Sequence, residues 1–415
     1  MAAKYRNGKE KDNTVCPNRI DLTNRIVIYL IVMLMGVLLR TYVTHSVTIV
    51  WLVNLVGIFL CFSPCFLRIR KEVFIGIIIY LVISSVTVLT NTEYFTNSIK
   101  GIGTNANIII VPITLLIIDY ASQTNSFSDK EIIKLLQIIS ALGCIAVLVA
   151  WVQGSSSFVR IIRRSLSIYR ADIDGFFYGK NIYGAFVSLT AIADLYLYTI
   201  FGKRIQRFIV LLKVLAVVLS FSRAALLQCG IMMFVYWWAQ KKHRKRDYLY
   251  LILLFSVIIS SILINENLQD FILRNIIRTD VGDAGRVYLK RRALTRFGGG
   301  LIPVLFGVGY AGIDFLRIDI DNTYYYLLFS GGVFKCLFYL FILIHNRYRI
   351  KTMRIRNRAL GNLSLSILIS YLFFAEFESV AILELGLLNF IFTLYIFIIP
   401  NGYVGMVRNK DHALN

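Results

Sequence analysis

The feature that most limits what this chain can fold into is a succession of long apolar runs, each near the length that spans a bilayer, separated by polar and mostly basic blocks. A run of about 20 apolar residues can close its backbone hydrogen bonds as a helix while crossing the hydrocarbon. The runs fall at residues 26–43, 46–64, 73–90, 103–120, 132–153, 182–201, 206–221, 224–239, 248–264, 323–344, 363–379 and 381–400. They predict an all-α polytopic membrane protein with about twelve transmembrane helices. Only 16% of the residues are charged and the mean hydropathy is +0.68, whereas soluble domains carry roughly 25% charge. The first run follows a polar leader rich in Lys and Arg and lacks a small-residue cleavage pattern, so we expect it to be retained.

A net charge of +22 would point to nucleic acid in a soluble protein. Between apolar runs it reads as topology instead, because basic residues are retained on the cytoplasmic side. With the N-terminus inside, dense blocks such as Lys241-Lys242-His243-Arg244-Lys245-Arg246 and the arginines of 347–358 all fall inside. Both termini are then expected in the cytoplasm. The layout is a leader (1–25), nine helices with an amphipathic outer loop at 154–181 (26–264), a large extracytoplasmic loop (265–322), three further helices (323–400) and a tail (401–415). That large loop is far longer than a connection requires and is expected to be ordered. The halves of the chain show no repeat, which weakens an inverted-repeat transporter. The six cysteines sit in the leader or in apolar runs, so neither a disulfide nor a zinc site is expected.

Four constellations could carry chemistry. In Ser155 to Arg170, Arg160, Arg163 and Arg164 share one helical face and Phe158, Ile162, Leu166 and Tyr169 another, the pattern of a basic helix lying at the outer interface. Such a helix either rests on lipid headgroups or binds a phosphate through its guanidinium forks. Next, the stretch 206–239 must break near Ser222-Arg223 with almost no loop, which puts Arg223 at the surface or in a wet cavity. The alternative there is a snorkelling topology marker. Third, the large loop runs through Asp283, Gly285-Arg286 and Arg292 to Gly298-Gly299-Gly300. It continues through Phe306-Gly307-Val308-Gly309-Tyr310 to Asp321-Asn322-Thr323-Tyr324 and then Gly331-Gly332. Its glycines permit the close backbone approach seen at ligand-cradling turns. Last, Glu376, Glu378 and Glu384 cluster at the outer turn between the last two runs, and Asp194 lies inside the sixth. These carboxylates either face a cavity, one as a general base, or pair with outer arginines. The histidines offer no base in the large loop.

In order along the chain, Tyr178-Gly179-Lys180-Asn181-Ile182-Tyr183-Gly184, Ser222-Arg223, Gly285-Arg286 with Gly307-Val308-Gly309, and Asp321-Asn322-Thr323-Tyr324 with Gly331-Gly332 resemble the O-antigen polymerase and ligase group of membrane glycosyltransferases. They are most similar to its Wzy-type polymerases of O-antigen, capsule and exopolysaccharide pathways. The likeness covers about 175–335, and the flanking runs match in number and hydropathy. Asp321 stands where the ligases carry His, which tilts the likeness towards polymerases.

The resemblance implies a GT-C-like fold in a bacterial inner membrane. It also implies transfer of a glycan from undecaprenyl diphosphate to a hydroxyl of a second lipid-linked repeat unit. Donor and acceptor would both be undecaprenyl-diphosphate-linked oligosaccharides, with a chain-length regulator as a further protein partner and no nucleic acid. Arg223 and Arg286 would stabilise the departing diphosphate, helped by Arg160, Arg163, Arg164 or Arg292. Asp321 or Glu376 would assist the acceptor hydroxyl. No cofactor is expected, and with no divalent-metal cluster on the outer side a metal-independent reaction is expected. The competing readings are an O-antigen ligase and a lipid-linked oligosaccharide flippase, the latter using Asp194, Lys213 and Glu384 in a midplane cavity.

Overall fold

The computed structural model describes residues 21–44, 47–63, 65, 69–92, 99–124, 127–163, 175–177, 179–220, 222–240, 294–295, 300–315, 322–384 and 386–403. The regular elements among these residues are all helices, with no strand among them. We label the helices α1 (Leu22–Leu39), α2 (Val47–Phe62), α3 (Lys71–Thr90), α4 (Ile99–Gln123), α5 (Asp129–Arg163), α6 (Lys180–Phe201), α7 (Arg204–Leu219) and α8 (Arg223–Ala239). Two short helices follow, α9 (Leu301–Phe306) and α10 (Gly309–Phe315), then α11 (Thr323–Arg356), α12 (Arg358–Phe374) and α13 (Leu387–Thr393), which runs on as a π-turn over Leu394–Ile398. The chain is a membrane protein: six of these helices are long and apolar enough to cross a bilayer, and α2, α12 and the last helix are shorter apolar segments. The expected run at 248–264 lies outside the described residues.

Helix starts follow capping chemistry. Asp21, Ser222, Asn322 and Asn357 each accept a hydrogen bond from the backbone N–H three residues on. Ser128 and Glu131 form a reciprocal box before α5. Around these ends the layers sort by burial. α6 is buried almost all round, from Tyr183 to Asp194 without a break, while α3 exposes most of its apolar side chains. An evenly apolar helix can sit at the centre of a bundle or face lipid, and tertiary packing decides which. α6 packs against α5, α7, α8 and α12. Small residues make the approach possible: a Cβ on Gly143 of α5 would lie 2.1 Å from Thr190 Oγ1, and one on Gly184 of α6 would lie 2.6 Å from Ala225 Cβ of α8.

Four expectations change. Residues 155–163 are the continuation of α5, not the start of a separate interfacial helix. At 35 residues and 1.5 Å per residue, α5 is about 50 Å long and outreaches a hydrocarbon layer of about 30 Å. Likewise the basic block 347–356 is not a loop but the last turns of α11, which is 34 residues long.

Third, α11 is broken at Gly332 (φ 68°, ψ −167°). Finally, no helix occupies the described residues of 375–386. The segment expected as the end of one span, a short outer turn and the start of the last span is non-helical at its described residues and dips into the bundle, with Val380, Ala381, Ile382 and Leu383 all buried.

Non-helical backbone at such depth must find partners inside the protein. Hydroxyls provide them. Val380 N–H donates to Thr323 Oγ1 at 2.9 Å, Ile382 N–H to Tyr371 Oη at 3.3 Å and Leu383 N–H to Thr393 Oγ1 at 2.9 Å, while Tyr371 Oη donates to Val380 O at 3.0 Å. Leu383 holds φ 69°, a conformation that costs a non-glycine residue about 1–3 kcal/mol and persists only where its surroundings over-determine it.

Candidate functional site at the end where α6, α8 and α11 begin

Three helices begin at one end of the bundle, α6 at Lys180, α8 at Arg223 and α11 at Thr323, and α12 ends there at Phe374. This is the end that the charge pattern of the sequence leads one to expect outside. Ser222, the N-cap of α8, donates to Asn181 Oδ1 of α6 at 2.6 Å. Asn181 Nδ2 in turn donates to Glu378 Oε1. Thr323 closes the set: its N–H donates to Ala375 O at 2.7 Å and its Oγ1 to Glu378 O at 2.6 Å. Beside it Asn322 Nδ2 donates to Glu376 O at 2.9 Å. Motifs far apart in the chain thus meet in one hydrogen-bonded belt.

Of the residues expected to act, Arg223 and Glu376 are described, and both belong to this end. Arg223 is half-buried at the first position of α8 and Glu376 is exposed. Its guanidinium adds to the positive end of the helix dipole, a combination that favours an anion. Arg160 and Arg163 lie on the helical extension of α5. Arg164, Arg286, Arg292 and Asp321 fall outside the described residues, although Asp321 immediately precedes the capping Asn322.

Asn181 and Glu378 stand in the sequence as part of the Tyr178–Gly184 motif and of the carboxylate cluster at 376–384, and their pairing was not among the expectations. An Asn at the first turn of an apolar run and a Glu beyond the end of another carry no signal of that contact. Only the fold places them at hydrogen-bond distance.

The glycine motifs have a different role from the expected cradle. Gly307 (φ 76°) and Gly332 (φ 68°) pack backbone against backbone: a Cβ on Gly307 would lie 2.5 Å from Gly331 N, and one on Gly332 would lie 2.2 Å from Leu305 O. Val308 N–H donates to Phe329 O at 2.8 Å, and Thr87 Oγ1 of α3 donates to Phe306 O at 2.6 Å. Close approach was the right reading of these glycines, but its object is the broken α11. The end of the large loop is thereby stitched into the bundle.

Two buried ion pairs lie deeper. Lys213 Nζ of α7 donates to Asp194 Oδ2 of α6 at 2.5 Å and to Ser140 O of α5 at 2.8 Å, and Ser140 Oγ donates to the other carboxylate oxygen. Lys335 Nζ of α11 donates to Glu384 Oε1 at 2.9 Å, to Ser330 Oγ at 2.8 Å and to Tyr310 Oη. Glu384 also accepts from Tyr310 Oη at 2.5 Å, Tyr326 Oη at 3.1 Å, Tyr339 Oη at 3.3 Å and Asn107 Nδ2 at 3.2 Å.

Two expectations are corrected here. The partner of Glu384 is an intramembrane lysine, not an outer arginine. Asp194, Lys213 and Glu384 do not share a cavity but belong to two separate, satisfied clusters. A narrow cleft reaches Lys335 past Ser84, Thr87, Tyr310 and Ser330, with room for about one water molecule.

Comparison with protein-family models and with curated proteins finds no match. The functional reading therefore rests on residues and geometry.

Proposed function

We propose that this protein is a multi-pass enzyme of the bacterial cytoplasmic membrane that joins undecaprenyl-diphosphate-linked oligosaccharide repeat units at the outer face. In this reading twelve spans place both termini inside. The observation that carries it is the belt from Ser222 through Asn181 to Glu378 and Thr323. It gathers Arg223, the helix starts of α6, α8 and α11, and the carboxylate-bearing segment 376–378 at the end that the charge pattern puts outside.

The chemistry asks for little else. The acceptor hydroxyl oxygen attacks the anomeric carbon of the donor. The bond from that carbon to the diphosphate oxygen breaks, and the electron pair leaves with undecaprenyl diphosphate. Arginine stabilises the charge that develops on the leaving group, as a positioned donor in a partly desolvated site does. The hydroxyl proton passes to a carboxylate, for which Asp321 and Glu376 are the candidates. Arg286 is assigned the second guanidinium, with Arg160, Arg163, Arg164 and Arg292 as auxiliary diphosphate contacts.

The test is the surface glycan ladder of cells carrying Arg223→Ala or Arg223→Lys, with membrane levels matched to wild type. Loss of a charge-stabilising donor costs roughly 100-fold or more in turnover, and Lys keeps the charge without the bidentate fork. We expect collapse to single repeat units on the surface. An intact ladder would remove Arg223 from the site.

The broken α11 beside the Lys335–Glu384 pair favours a second reading, a flippase for the same lipid-linked units, because transporters place their sites at discontinuous helices. Repeat units trapped inside the cell in the Arg223 variants would favour it.

A further inference from the structure

The Lys335–Glu384 cluster has a puzzling energetic position. Lys335 and Glu384 are both buried, and burying charges costs more than a close-packed apolar pair would unless every hydrogen-bonding position is filled. Here they are filled. The ammonium makes three donations and sits 4.0 Å from the Tyr310 ring centroid, and the carboxylate accepts from Lys335, three tyrosines and Asn107. The pair is neutral as a whole and fully satisfied, so an added proton or ion would leave a net charge in the core. Such a cluster is better suited to holding an arrangement than to exchanging a ligand.

What it holds is specific. The Asp194–Lys213 pair joins three regular helices. Lys335–Glu384 instead joins two irregular elements. Lys335 lies three residues after the break in α11, and Glu384 follows Leu383, whose backbone is strained, in the non-helical segment 375–386. That segment has no ladder of its own to set its register. Its upstream end carries Glu378, which accepts from Asn181 beside Ser222 and Arg223.

We propose that Lys335 and Glu384 are positioning residues. Their pairing sets how far segment 375–386 is drawn into the bundle, and so where Glu376 and Glu378 stand relative to Arg223. The pair touches no substrate; it acts through the segment. Release would let the segment relax outward and misplace the carboxylates while the arginine end stays where it is. This assignment rests on the repeat-unit joining proposed above.

The experiment uses the full-length protein in membranes, as wild type, Glu384→Gln, and the milder Tyr326→Phe, which removes one hydrogen bond and leaves the ion pair. Hydrogen exchange is followed in peptides covering 378–386 and in α6, and kcat and KM for joining are measured on the same preparations. Expected is faster exchange at the Val380, Ile382 and Leu383 amides with α6 unchanged. Turnover should fall on the order of 100-fold in Glu384→Gln, as misplacement by about 1 Å does, and less in Tyr326→Phe, with KM little changed.

Unchanged exchange in both variants would overturn the proposal, because the pair would not be holding the segment. Faster exchange with undiminished turnover would overturn it too, because the segment would not be positioning the site. Failure of the joining reading itself is read separately, from an intact ladder in Arg223→Ala, and leaves the exchange result standing.

Discussion

The Asp194–Lys213 pair gives a quantitative test that separates structural from functional charge inside the bundle. Both residues are essentially without exposure, at 1% and 0%, so salt will not screen their interaction. Lys213→Met leaves the Asp194 carboxylate with Ser140 as its one remaining partner in this cluster. Stranding one half of a buried pair costs about 3–5 kcal/mol. Asp194→Asn leaves the buried ammonium without an anion and should cost a similar amount.

The double substitution removes both charges at nearly constant volume, since Met follows the lysine stem and Asn can still accept from Ser140 Oγ. It should lie within about 1.5 kcal/mol of wild type, as volume-conserving core changes do. A double-mutant cycle from unfolding in mixed micelles should therefore return a coupling energy of at least about 4.5 kcal/mol.

The same double variant carries the functional half of the test. If the pair only ties α5, α6 and α7 together, the glycan ladder is kept. If the double variant is as unstable as the singles, the pairing argument is wrong. If it is stable but export or polymerisation fails, the charges take part in transport or chemistry and the structural assignment falls.

Three further outcomes follow. Gly332→Ala should destabilise by about 3–5 kcal/mol, combining strain at positive φ with a Cβ driven against the Leu305 carbonyl. Gly76→Ala on α3, which has nothing within 4 Å, should be neutral or slightly stabilising in the same unfolding assay. The Cys65 thiol, between α2 and α3, is pushed up to about 12 by burial, against the lowering effect of Arg25. A raised thiol pKa means almost no thiolate at neutral pH. Maleimide should therefore fail to label Cys65 in folded protein at pH 7–8 and should label it after unfolding; rapid native labelling would mean the residue is open.

Much of this architecture was legible without coordinates. Apolar length alone forces helices in lipid, because each backbone group must be satisfied within its own segment. The break at Ser222-Arg223 followed from a run too long for one span and too short for two with a relaxed loop. Ser222 indeed caps α8, with its side chain accepting from Ala225 N–H. The Gly-x-Gly and Gly-Gly motifs announced close backbone approach, and that holds at Gly307 and Gly332.

Tertiary structure alone decided the partners. Lys335 and Glu384 are 49 residues apart, and no periodicity links them. The hint was thermodynamic: a lysine inside an apolar run needs an anion, but several carboxylates could have served. Hydropathy also mistook the segment 375–386, because buried non-helical backbone is as apolar in composition as a span. Its backbone groups are satisfied by hydroxyls of Thr323, Tyr371 and Thr393, which come from three different helices. The central position of α6 against the exposed position of α3 left only a faint mark in the sequence, the Gly184, Ser188, Thr190 and Asp194 set among the apolar residues of α6 where the middle of α3 is almost wholly apolar. Local physics determines that these segments become helices. Which helix sits inside, and which charge meets which, is settled by long-range contacts that compete for the same few polar groups in a medium that leaves none unpaired without cost.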